Sequence, residues 1–281
     1  MSSVNTTWLA TDAARARTLS DARLQLHYAA QFGTALGISY LEHQADDRHT
    51  NLGWDSALGA LMSHPAPGPR GAVSVGVRVR DLSIIVARDG VGVASTSLHG
   101  ITIASAADVI RLALHRQGLD PRRYTLARHY ELPSHAVGAG AAFNAGDRAA
   151  FEQLSRWFGN AAIALERVAR EVKGASDVRV WPHHFDIATL VQYPGGASTG
   201  AGLEPGDGYY DEPYFYVNAH PAPASPPPAA DLDGGGTWHT REWIGAVLPG
   251  SRVTGDAAAQ EDQVRRYLDS ALAACRALVG A

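Results

Sequence analysis

Two histidines and an aspartate in one short run, with a glutamate and a further histidine downstream, are the residues of this chain best suited to chemistry. In WPHHFDIATLV (181–191), an extended backbone would put His184, Asp186 and Ala188 on one face and His183, Phe185 and Ile187 on the other, because side chains alternate along a strand. An imidazole beside a carboxylate is the minimum for a polarised general base, and it equally supplies two ligands to a divalent cation. Further ligands must then come from neighbouring strands. Glu212 in DEPYFYV and His239 in TWHTREW lie in segments of strand character, and Glu212 sits among Tyr209, Tyr210, Tyr214, Phe215 and Tyr216 in a partly desolvated setting that suits acid or base work.

Together these residues predict one polar pocket. Asp186, Glu212 and His184 are its expected catalytic groups, and His184, Asp186 and His239 are the expected ligands of zinc, iron or manganese. Trp181, Tyr214, Tyr216 and Trp238 would form the walls. The competing reading of the same side chains is a structural hydrogen-bond network, the usual fate of buried polar groups near Tyr and Arg. The N-terminal half adds two candidate binding residues. His27 lies one helical turn before Gln31, so both can reach inward, and His49 stands near Asp46, Asp47 and Asp55.

Other motifs carry less. Asp231, Asp233, Gly236 and Glu242 are spaced like a calcium loop, but Gly235 stands where an oxygen ligand is due. GAGAAFNAG does not follow a strand of a βαβ unit, so it is no phosphate loop. HExxH and CxxC are absent. Lys173 is the only lysine, which disfavours Schiff-base chemistry.

The elements that must position these groups are readable from periodicity. Leu24, Tyr28, Phe32 and Leu36 recur every fourth residue behind Ser20 or Asp21 as a cap, predicting a helix, and the polar DDRHTNLGWD after it reads as a loop. Residues 72–98 are rich in Val and Ile and hold Asp89-Gly90 between apolar runs, predicting two or three antiparallel strands. A second helix is expected from Ser105, with Asp108 completing a capping box. A third is expected from Asp147 to Val172, with YTLARHYELP as a strand between the two. Past Gly174, the segments DVRVWPHHFDIATLVQY, DEPYFYVNAH and TWHTREWIGAVL read as β, and PAPASPPPAADLDGGG reads as a loop. A last helix, from Gln260 to Leu278, turns Cys275 inward as packing rather than as a nucleophile. Without regular βα alternation, this order predicts an α+β fold, with a mainly antiparallel sheet and about four packing helices. The 281 residues are expected to form a single domain, with halves at 1–145 and 146–281 as the alternative.

With 46% hydrophobic residues the chain can bury a sizeable core, and a net charge of -4 offers no attraction for nucleic acid or anionic lipid. One cysteine, no leader-like N-terminus and no apolar run approaching the ~20 residues of a bilayer span predict a cytoplasmic protein that is neither secreted nor inserted in a membrane.

WPHHFDIATLV, LEPGDGYYDEPYFYVNAHPAP and WHTREWIGAVL, with HYAAQ and HTNLGWD, resemble a bacterial family of domains of unknown function, and the likeness covers most of the chain. The resemblance implies an α+β protein without assigning a reaction. It also implies that the Phe-Asp and Glu-Pro-x-Phe-Tyr elements recur more clearly than the double histidine, which shifts weight to Asp186 and Glu212. Two functions are consistent with these readings: a metal- or His/carboxylate-dependent enzyme performing hydrolysis or proton transfer on a small polar molecule, or a non-catalytic module binding a ligand or another protein.

Overall fold

A computed structural model describes residues 7–224 and 232–280; Asp231 of the calcium-like spacing lies outside them. The fold is α+β, and every strand pair described is antiparallel. The chain forms two compact units. Among the described residues, the first contains 21–155 and 180–185; the second contains 7–20, 156–179, 186–224 and 232–280.

The first unit is organised by α1 (Ser20–Tyr40), buried over most of its surface, with Leu26, Ala29, Phe32 and Leu36 in the core. It packs against the sheet so closely that a Cβ on Gly33 would stand 2.9 Å from the Val75 carbonyl oxygen. That sheet is a meander of β1 (Leu52–Asp55), β2 (Ala60–Ser63), β3 (Val73–Arg78), β4 (Ser83–Arg88) and β5 (Val91–Ser97). Asp89 and Gly90 join β4 to β5 with φ of 50° and 77°, the positive pair that a tight hairpin turn requires. Next comes α2 (Ile103–Arg116), then α3 (Arg148–Glu171), whose first turns belong to this unit. In β6 (Arg179–Val180), Val180 pairs with Leu52.

The second unit has β7 (Ile187–Gln192), β8 (Ser198–Glu204), β9 (Tyr214–His220), β10 (Thr237–His239) and β11 (Gly245–Pro249), ordered β10-β11-β9-β8-β7. The helix α4 (Ala257–Leu278) is capped by the Asp256 side chain, which accepts from the Ala259 amide. It lays Val264, Leu268, Ala271 and Cys275 against β8, β9 and β11. The Cys275 thiol donates to the Val217 carbonyl at 3.5 Å, and burial raises its pKa to about 11, so it is packed and inert.

Four local expectations are corrected. The helix expected from Ser105 starts at Ile103, because Thr102 is the cap and its hydroxyl accepts from the Ser105 amide. The segment DDRHTNLGWD is not all loop; its last residues are β1, which pairs with β2. No strand forms over YTLARHYELP, where Tyr124 instead goes into the core and its hydroxyl donates to the Phe32 carbonyl at 2.8 Å. Finally, the run from Asp177 to Tyr193 is two strands, β6 and β7, broken by a turn over Pro182–His184.

Candidate metal centre

The break between β6 and β7 removes the premise of the expected pocket. Phe185 has φ of 73°, a left-handed conformation that is unusual for an aromatic residue, so alternation does not run from His184 to Asp186. The two fall in different units. His183 and His184 are exposed on the turn, whereas Asp186 is buried and accepts from the Tyr216 hydroxyl.

The remaining residues of the expected pocket are held by protein partners. Glu212, which precedes β9 rather than lying on it, is 2% exposed. It accepts from the Ser251 amide at 2.6 Å, the Ser251 hydroxyl at 3.0 Å and Arg17 Nε at 3.1 Å. His239 Nε2–H donates to the Arg241 carbonyl at 2.7 Å, so Nδ1 accepts from the Tyr210 hydroxyl at 3.0 Å. With both nitrogens engaged and its ring stacked on Trp243 at 4.4 Å, His239 has no lone pair to offer a metal. Tyr214 donates to Asp207 at 2.8 Å, and burial with nearby carboxylates drives the Tyr214 and Tyr216 phenols far above their ordinary pKa. Of the expected walls, Tyr214, Tyr216 and Trp238 belong to the second unit and Trp181 to the first.

A different constellation assembles within the first unit. His43, Asp47 and His49 bring one ligand atom each to within 4.8 Å of one another, a set that can hold a metal ion. The loop leaving α1 makes this arrangement. Asp47 adopts φ of 57° and starts a short 3-10 turn over Arg48–Thr50, where the Thr50 amide and hydroxyl both donate to the Asp47 carbonyl. The reversal lifts His49 back over the helix, and only a glycine fits beneath it: a Cβ on Gly37 would lie 2.2 Å from the His49 carbonyl oxygen. The His43 and His49 rings meet edge to face at 5.2 Å. The Gln44 amide donates to His49 Nδ1 over a long 3.3 Å. Burial, then the neighbouring His43, lowers the His49 pKa, which favours the neutral, ligating form at neutral pH.

Three more histidines gather here. His129 Nε2 stands 3.3 Å from Asp47 Oδ2, the outer contact that orients a ligating carboxylate. The His183 ring lies 4.3 Å from that of His184 and 5.9 Å from Tyr130. Partial burial of its ring, then His184, lowers the His183 pKa, and both Asp47 and His129 are within electrostatic reach of it. The turn carrying His183 and His184 is anchored from α1: His27 Nε2 and Gln31 Nε2 both donate to the Pro182 carbonyl, at 2.8 and 3.0 Å, and His27 stacks on Phe185 at 4.7 Å. Tyr130 donates to Gln31 Oε1 at 2.7 Å. His27 does face inward as its helical position suggested, but as a brace, with burial lowering its pKa to about 4.

Of the acids placed beside His49 by sequence, Asp47 joins it. Asp46 pairs with Arg48, and Asp55 accepts from the Ala57 and Leu58 amides in the turn after β1. His43 and His129 went unread. The spacing His43-x3-Asp47-x-His49 is a signal that could have found the first, but nothing local links His129 to it. Gly196–Gly200 reads G-x-S-x-G, yet Ser198 opens a strand instead of the strand-to-helix elbow that exposes a nucleophile. No helix among the described residues is long and apolar enough to cross a membrane. Comparison with protein-family models, with curated proteins and with solved structures finds no match.

Proposed function

We propose that this chain is a metal-dependent enzyme whose centre is His43, Asp47 and His49, acting by hydrolysis or proton transfer on a small polar molecule. The observation that carries the reading is the convergence of two imidazoles and one carboxylate within 4.8 Å. Two histidines and a carboxylate are a donor set for zinc, iron(II) or manganese, with coordination positions left for water and substrate. His129 supports the reading by holding the outer face of Asp47. His183, on a turn braced by His27 and Gln31 and within electrostatic reach of Asp47, is the side chain that would take or give a proton beside such a centre.

Chelator-treated protein titrated separately with zinc, manganese and iron(II) should take up one equivalent of at least one of them, and cobalt(II) should give visible ligand-field bands. Asp47→Asn and His49→Ala should weaken uptake by at least about a hundredfold. Uptake below one equivalent for every metal, or uptake indifferent to both substitutions, overturns the metal centre.

A further inference from the structure

One buried amide stands behind both of the histidine-bearing segments that approach the metal centre from outside its own loop. Gln31 lies in the middle of α1 and is 7% exposed. Its Nε2 donates to the His27 carbonyl at 3.2 Å and to the Pro182 carbonyl at 3.0 Å, and its Oε1 accepts from the Tyr130 hydroxyl at 2.7 Å. Carbonyl oxygens can only accept, so both must face the N–H side of the amide, and the group has one orientation. Tyr130 must then be the donor.

The segment that carries Tyr130 has no ladder to hold it. Residues 125–131 form neither helix nor strand, and a stretch without backbone pairing is placed by the few contacts its side chains make. Of the hydrogen bonds described for 126–131, those of the Ala127 amide and of Arg128 stay local, while the Tyr130 hydroxyl reaches α1. His129, the residue before it, meets the Tyr130 ring edge to face at 5.4 Å and puts Nε2 3.3 Å from Asp47 Oδ2. The same Tyr130 ring lies 5.9 Å from that of His183, whose turn Gln31 holds through Pro182.

We propose that Gln31 and Tyr130 are positioning residues of the metal centre: from one amide on α1 they set His129 against Asp47 and hold the His183 turn beside it. That role rests on the centre of His43, Asp47 and His49. Neither residue supplies a ligand. Tyr130 acts through His129, and Gln31 acts through Tyr130 and through Pro182. Groups that orient a metal's ligands from outside typically change its affinity by about 10–100-fold when removed. Tyr130 stands one step further out, and the His129 side chain it aims is 71% exposed, so the loss expected on breaking its hydroxyl contact is smaller, about fivefold.

Tyr130→Phe keeps the ring and removes the hydroxyl, which makes it the discriminating variant. In metal-free protein the ring-proton resonances of His129 and His183, assigned by His129→Gln and His183→Gln, should move in Tyr130→Phe and in Gln31→Met, because displacing the Tyr130 ring changes its ring current at both neighbours. Cobalt(II) affinity, read from the ligand-field bands, should fall about fivefold in Tyr130→Phe, and less than about twofold when the same change is made in His129→Gln, where the residue it acts through is already gone. Ring shifts that stay at their native values in both variants overturn the positioning role. So does an affinity loss of the same size with and without His129, which is what a purely structural role gives. Native protein that binds no cobalt overturns the metal centre instead, and the ring shifts then still decide whether Gln31 and Tyr130 aim His129 and His183.

Discussion

His49 and His239 are both imidazoles in polar, aromatic surroundings, and sequence alone places each near candidate partners. Their circumstances differ in what the neighbours leave over. Around His239, the Arg241 carbonyl and the Tyr210 hydroxyl take both ring nitrogens. Nearby, Asp207 is filled by the Tyr214 hydroxyl and the Tyr209 and Tyr210 amides, and Glu212 by Ser251 and Arg17. Around His49, a 3.3 Å contact from the Gln44 amide is the one hydrogen bond described, while His43 and Asp47 turn ligand atoms toward it. Polar groups that satisfy one another hold a fold together; groups that converge without satisfying one another are available to a ligand.

The largest effect expected from this contrast concerns His27, the buried histidine that braces the turn carrying His183 and His184. Its folded pKa, lowered chiefly by burial and then by Arg23, Arg128 and His183, is about 4, against roughly 6.5 in the unfolded chain. A depressed pKa means that the unfolded state takes up the proton first. Stability is therefore complete above about pH 6.5, falls as pH drops toward 4, and levels below that. The loss amounts to roughly 3 kcal/mol across the window. Urea midpoints followed from neutral to acid pH should show this fall in the native protein and a flatter profile in His27→Gln. Identical slopes would mean that the braced turn owes nothing to a neutral imidazole.

Next in size is Glu212. Removing it as Glu212→Ala leaves the Ser251 amide and hydroxyl without their acceptor in a site where the carboxylate is 2% exposed. About 2 kcal/mol of stability should go with it. Arg17 adds little to that figure, because its side chain is 66% exposed and the pair is screened. Metal uptake should not change. A working acid or base gives the opposite signature, near-neutral stability with lost turnover, so the denaturation midpoint of this variant separates a structural carboxylate from a catalytic one.

Much of the architecture was legible because it rests on local periodicity. The α1, α3 and α4 stripes, the Asp89-Gly90 hairpin and the inward Cys275 all follow from spacing and turn chemistry. The strand β8 escaped notice because its glycines resemble a loop. They are there for packing: a Cβ on Gly202 would meet the Tyr216 ring at 2.7 Å, and one on Gly200 would meet Asn218 Oδ1 at 2.5 Å. The expected pocket failed at one backbone angle, the positive φ of Phe185, which no propensity foretells for an aromatic residue and which the His27 stack and the Pro182 contacts hold in place. His129 was beyond local reading altogether, since its approach to Asp47 depends on where a strandless segment runs over α1.

The smallest expected effect tests the contrast from its other side. His43 is exposed, and no hydrogen bond to it is described; it meets His49 through a ring edge. Its removal as His43→Ala strips nothing from the core, so the metal-free variant should unfold within about 0.5 kcal/mol of the native chain. Added metal then discriminates. A ligand that binds only the folded state stabilises it by about 2.7 kcal/mol at a hundredfold excess over its dissociation constant, and a metal taken up by His43, Asp47 and His49 should raise the native midpoint accordingly while leaving that of His43→Ala near its metal-free value. Equal gains in both proteins would place the cation elsewhere; a large loss in the metal-free variant would make His43 a structural residue like His239.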